Sequence, residues 1–130
     1  MNKSLVETTI LIDYFRRLQK AIDCLESLRN KESVILVPRI VSAELFFGCR
    51  NIHEEREIEK FLSSYVVTTD ISVEIMKKSA ELKRIYGKSY ECGLIDMLIA
   101  STALIENAEL VTLNIKHFQM IEQLSIMKPY

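Results

Sequence analysis

Three acids stand in surroundings that are otherwise apolar. In "GLIDMLIASTALI" Asp96 is the sole charged side chain from Gly93 to Ile105, and in "RIVSAELFFG" Glu44 is the sole acid. Glu7 closes the short apolar run "SLVE". A carboxylate inside an apolar element is costly unless a cation, a metal ion or several hydrogen-bond donors satisfy it. Each acid also has a plain structural explanation. Asp96 and Glu7 stand near helix starts, where the dipole and free N–H groups favour an acid. Glu44 would suit a solvated helix face or an ion pair with Arg39 or Arg50. Taken together, the three acquire a common meaning if the fold brings them to one end of a sheet. Carboxylates gathered there repel one another unless a cation is bound, and oxygen ligands without Cys or His select Mg2+ or Mn2+ over zinc. Mg2+ held by carboxylates serves phosphate chemistry, in which it activates water and stabilises the leaving oxygen. The residues alone thus point to a metal-dependent phosphodiester hydrolase.

The elements that would position these acids follow from pattern. Four runs read as strands: "SLVE" (4–7), "SVILVP" (33–38), "YVVTTD" (65–70) and "AELVTLN" (108–114), with "LSIMKPY" (124–130) as a fifth candidate. They are apolar without alternation, which suits strands buried on both faces. Helical spacing extends over 9–29, with Ile10, Tyr14, Leu18, Ile22, Leu25 and Leu28 on one stripe. Further helices are predicted over 39–49, directly after Pro38 and ending near Gly48, and over the highly charged 54–65. Another spans 72–87, with Ser72 as N-cap and Gly87 as stop. The nearly all-apolar 93–108 is expected to be the central helix, and 116–123 a short closing one. Strands alternating with helices, without hairpin signals, imply an α/β fold: a mainly parallel sheet of four to five strands covered by helices on both faces. In such sheets ligands bind at the carboxyl ends of the strands. Glu7 ends the first strand, Glu44 follows the second, and Asn114 and His117 follow the fourth.

The totals narrow the classes. With 130 residues, 48% hydrophobic and 27% charged, the chain is expected to be one domain, 1–130. A net charge of −1 excludes a strongly basic nucleic-acid grip over the whole surface, though not a local basic rim. Cys24, Cys49 and Cys92 are odd in number and lack C-x-x-C spacing, so buried free thiols are expected. His53 and His117 fit no metal motif. No signal-peptide core and no apolar run of about 18 residues is present, so a cytoplasmic protein without membrane contact is expected.

At the same residues the chain resembles the PIN-domain ribonucleases, in particular the VapC-type toxins of toxin–antitoxin pairs. "LVETTILIDYFR" matches a strand ending in Asp-Thr/Ser-Asn/Ser followed by an apolar helix. "SAELFFG" matches a Ser/Thr-x-Glu-Leu helix, "LIDMLIASTAL" a Leu/Ile-x-Asp-x-x-Ile-Ala helix, and "LVTLNIKHF" a Leu-Val-Thr-x-Asn-x-x-Asp-Phe segment. Each motif is weak alone, but they stand in the right order over essentially the whole chain. The resemblance implies a three-layer α/β/α sandwich with an acidic pocket for Mg2+ or Mn2+, and cleavage of RNA by metal-activated water. Glu7, Glu44 and Asp96 would be the catalytic, metal-holding acids. Thr9, Thr112, Asn114 and His117 would support the site or touch substrate. A VapB-like antitoxin and a second copy of the chain would be the protein partners.

Two positions depart from the family pattern. The first acid is Glu7 where Asp is usual, which lengthens the side chain by one methylene. His117 stands where an acid is expected after Asn114; it is either a ligand suited to Mn2+ more than Mg2+, or a surface residue beside a packed Phe118. Arg16, Arg17, Arg39, Arg50 and Lys116 are candidates for phosphate contacts. Beside the ribonuclease stands a second expectation, a PIN fold that binds antitoxin or RNA without cleaving. A receiver or nucleotide-binding domain fits less well, because neither G-x-G-x-x-G nor G-x-x-x-x-G-K-[ST] is present.

Overall fold

The computed structural model describes residues 2–87 and 93–130. Cys92 lies outside them, whereas Cys24 is a buried free thiol as expected and Cys49 is a free thiol that is only half-buried. Among the described residues five strands form one sheet: β1 (Lys3–Val6), β2 (Val34–Pro38), β3 (Val67–Thr69), β4 (Glu109–Val111) and β5 (Ile126–Met127). Their order is β3-β2-β1-β4-β5 and every pairing is parallel. β1 is central, with Leu5 opposite Leu36 on one side and Leu110 on the other. Ser4, Leu5 and Val6 are all buried. Since successive side chains point to opposite faces, helices must cover both faces. The sheet is flanked by seven helices among the described residues, which is the α/β architecture that the alternation predicts.

From β1 the chain first builds outward on one side, to β2 and β3, then returns to lay β4 and β5 on the other. The reversal puts a topological switch point between the carboxyl ends of β1 and β4, the location at which parallel α/β sheets bind ligands.

The predicted helix 9–29 is two helices, α1 (Thr8–Phe15) and α2 (Gln19–Asn30). Between them Arg17 adopts φ 62°, the left-handed region. Arg17 N–H donates to Tyr14 O and Leu18 N–H to Asp13 O, bonds that close the last turn of α1. The break carries no glycine, so periodicity ran straight through it. It lets α2 bury Ala21, Cys24, Leu25 and Leu28 on a new line.

The other helices keep their predicted places with shifted ends. They are α3 (Arg39–Phe47), α4 (Ile52–Ser64), α5 (Val73–Tyr86), α6 (Leu94–Ile105) and α7 (Ile115–Phe118). Asn51 caps α4 by accepting from Glu54 N–H, and Ser72 caps α5 by accepting from Ile75 N–H. α6 is buried from Met97 through Ala103. Its polar residues, Ser101 and Thr102, donate their hydroxyls to Met97 O and Leu98 O one turn back, so their burial leaves nothing unpaired. No helix among the described residues is long and apolar enough to cross a membrane.

Candidate functional site

Glu7 lies at the switch point. Its N–H donates to Val111 O at 3.0 Å, which extends the β1–β4 pairing by one residue. With φ −85° and ψ 161° the backbone then turns into α1, and Glu7 becomes the N-cap. Its side chain folds back: Oε2 accepts from Thr9 N–H at 3.3 Å, and Oε1 from the Thr9 hydroxyl at 2.8 Å. From the far side the Thr112 hydroxyl donates to the same Oε1 at 2.6 Å. Both hydroxyls are oriented from behind, because Leu113 N–H donates to Thr9 Oγ1 and Asn114 N–H to Thr112 Oγ1. A hydroxyl that accepts a backbone N–H on one lone pair aims its single proton elsewhere, and here both protons meet on Glu7. Capping was one reading of Glu7 in the sequence, and its carboxylate does cap α1 while also accepting from Thr112 across the switch point. Its carboxylate is buried, with 6% of the residue exposed.

Glu44 projects from α3, half-buried, and its Oε1 accepts the Thr8 hydroxyl at 2.6 Å. Glu44 also lines a groove of about 330 Å³ between α1, α3 and α4, together with Ile12, Phe15, Arg16, Leu45 and Arg50. Asp96 occupies the first turn of α6, half-buried, where the helix dipole favours it. The fully buried stretch of α6 begins only at Met97, one residue later. Asp96 Oδ2 is 3.0 Å from His117 Nδ1; His117 is exposed beside the buried Phe118, as the surface reading expected, and meets the acid from there. Asn114 is the N-cap of α7, yet its side chain makes no capping bond there.

The elements bearing these groups pack in series: α1 on α3, α3 on α6, and α6 on α7. Three small polar networks result, one around Glu7 with Thr9 and Thr112, one joining Glu44 to Thr8, and one joining Asp96 to His117. Among the described residues no group of three or more His, Cys, Asp or Glu side chains stands close enough to hold one ion. The chemistry of the donors nevertheless suits a hard divalent cation. Glu44 Oε2 and Asp96 Oδ1 carry no protein partner among the described residues, and all the available donors are carboxylate oxygens.

The cations proposed from sequence separate clearly. Arg17 pairs with Glu57 at 3.7 Å, Arg39 with Asp70, and Arg50 with Glu54 at 2.8 Å. The Arg50 hydrogen bonds hold the Glu54 carboxyl below its usual range. Arg16, which lines the groove beside Glu44, has no ion pair among the described residues. Cys49 is in the same groove. Burial, and then the charges of Glu54 and Glu55, push its thiol above its ordinary value. Sequence reasoning missed Thr8 as a partner of Glu44. Two adjacent threonines after a strand were the available signal, but only the fold shows that they serve different acids.

The family model for the PIN domain matches residues 4–122. Ribonuclease VapC10 of Mycobacterium tuberculosis is 37% identical over 121 residues, covering 92% of this chain and 89% of that protein. Among solved structures, VapBC2 from Rickettsia felis bound to a DNA fragment from its promoter superposes with a TM-score of 0.84. Its sequence is 30% identical, and the match covers 96% of this chain and 97% of that one. A toxin–antitoxin complex from Klebsiella pneumoniae gives a TM-score of 0.82 at 29% identity, over 98% of both chains.

Proposed function

The chain belongs to the PIN-domain family, alongside the VapC-type ribonucleases, and we propose that it is an endoribonuclease toxin that hydrolyses RNA phosphodiester bonds with Mg2+ or Mn2+. The observation that supports this most is the Glu7–Thr112 bond across the switch point, an acid held at the ligand-binding end of a parallel sheet. Glu7, Glu44 and Asp96 would hold the cation, which when bound lowers the pKa of a water and neutralises charge on the scissile phosphate. The protein's own part is positional. Thr9 and Thr112 fix the Glu7 carboxylate, and His117 restrains Asp96 on the side away from its open Oδ1. Asn114, whose side chain is not spent on capping, and Arg16 in the groove supply contacts for the RNA. A VapB-like antitoxin silences the enzyme in this reading, as the toxin–antitoxin nature of the neighbouring structures suggests. Phe47, 93% exposed, and Leu94, 70% exposed, offer apolar surface that the antitoxin or a second copy of the chain would cover. The work of such an enzyme is in the cytoplasm.

The test is cleavage of a panel of structured RNAs with Mg2+, with Mn2+, and with chelator. Wild type is expected to cut only with a divalent ion, and Asp96→Asn to lose activity by about 100-fold or more. Undiminished cutting by Asp96→Asn, or by wild type in chelator, would overturn the proposal. One observation favours the second reading, a PIN fold that binds without cleaving: Glu7 already receives three donors from the protein. In that case wild type binds antitoxin but leaves every RNA intact, and Glu7→Asp, with the family's usual length, gains cleavage.

A further inference from the structure

We infer that Thr8 is a positioning residue for Glu44, holding that carboxylate in register with the Glu7 network through one hydroxyl bond from the first turn of α1. The inference rests on the proposed role of Glu44 toward a divalent cation and names the residue that controls it.

Thr8 is the first residue of α1 and is buried, with 7% exposed. A hydroxyl at a helix start ordinarily turns to a free N–H of its own helix. Here Glu7 has taken the capping role, accepting from Thr9 N–H, so the Thr8 hydroxyl is released for another partner. It reaches across to α3 and donates to Glu44 Oε1 at 2.6 Å, between residues 36 apart in sequence. Thr9, one residue on and about 100° around the helix axis, aims its hydroxyl at Glu7 instead. Successive positions on a helix face different directions, so adjacent threonines can serve acids on separate elements. The first turn of α1 therefore sets two acids at once, one on its own strand end and one on a packed helix.

Glu44 needs such a restraint. It is half-buried at the edge of an open groove, and a glutamate has three side-chain torsions through which to swing. The Thr8 bond fixes one carboxylate oxygen and leaves Oε2 with no protein partner among the described residues. Thr8 is branched at Cβ, so its own χ1 is restricted, which makes the donor a fixed point.

The experiment compares wild type with Thr8→Val, which keeps the branch and removes the proton donor, and with Thr8→Ser, which keeps the donor. Mn2+ affinity is measured by titration calorimetry on the whole chain, the melting temperature without metal alongside it, and RNA cleavage separately. Thr8→Val is expected to weaken Mn2+ binding about tenfold, as for other groups that orient a ligand, with Thr8→Ser within about twofold of wild type. In a Glu44→Gln background Thr8→Val should change Mn2+ affinity no further. A merely structural threonine would lower the melting temperature and leave Mn2+ affinity alone. If Thr8→Val does not fold, Thr8→Ala replaces it, with the same outcome expected. Equal Mn2+ affinity in wild type and the folded hydroxyl-less variant overturns the inference, and so does wild type that binds no Mn2+. A wild type that cleaves no RNA but binds Mn2+ in a Thr8-dependent way refutes the ribonuclease reading and leaves the positioning role standing.

Discussion

At the scale of single residues, the molecule's unusual step is to use a glutamate as helix cap and buried acid together. Asp, Asn, Ser and Thr dominate at N-caps because their short side chains reach the second or third N–H without detour. Glu7 is a methylene longer, and its carboxylate needs outside support, which Thr112 gives from β4. Thr112 is fully buried, and its hydroxyl both accepts from Asn114 N–H and donates to Glu7. Replacement by Val keeps the shape but leaves an acceptor and a backbone donor unsatisfied, so Thr112→Val is expected to cost about 2–3 kcal/mol. Urea denaturation should show a lowered midpoint with an unchanged slope, and Thr112→Ser should recover most of the loss; a Val variant as stable as wild type would refute this account. The acids themselves were legible from sequence because a lone charge in an apolar run is conspicuous. Their partners were not. Nothing in "VETT" tells which threonine serves which acid, and the approach of His117 to Asp96 joins segments that only α6–α7 packing brings together.

At the scale of elements, sequence and structure agree on the order of strands and helices and differ at a break and at several ends. Continuous apolar runs revealed the strands because both faces of the sheet are covered. The run over 108–114 contributes only Glu109–Val111 to β4, since Thr112 onward turns to serve the Glu7 network. The stripe over 9–29 concealed the α1–α2 break because the residue that makes it is arginine. A side chain with a Cβ in the left-handed region costs about 1–2 kcal/mol, part of which Gly would return as lost chain entropy. The Arg17–Glu57 pair, at 3.7 Å on the surface, offsets little of this. Arg17→Gly is therefore expected to stabilise the protein by about 0.5–1 kcal/mol, seen as a higher melting temperature with unchanged circular dichroism. A lower melting temperature would mean that the break is held by the ion pair and not merely tolerated by the backbone.

At the scale of the whole molecule, the last residue is fastened to the first helix. The Tyr130 hydroxyl donates to Asp13 Oδ2 at 2.9 Å. Burial, then the Asp13 hydrogen bond and charge, and then Cys24, raise the phenol well above its ordinary value of 10.0. The unfolded chain loses this proton first as pH rises, so the stabilisation is complete below pH 10 and is lost above it, as pH climbs toward the folded value. Urea midpoints measured in steps from neutral to alkaline pH should fall more steeply for wild type than for Tyr130→Phe once pH 10 is passed; parallel curves would show that the bond is unimportant. The strand order carries a different consequence, one of timing. Glu7 and Thr112 meet across 105 positions of sequence, and β1, though central, gains its second neighbour only when β4 arrives. A ribosome makes a chain from the amino end, so Glu7 emerges before Thr112 and waits for the hydroxyl that fixes it. Contacts between distant segments form late and slowly. The Glu7 end of the sheet thus cannot be assembled in a nascent chain that stops short of β4.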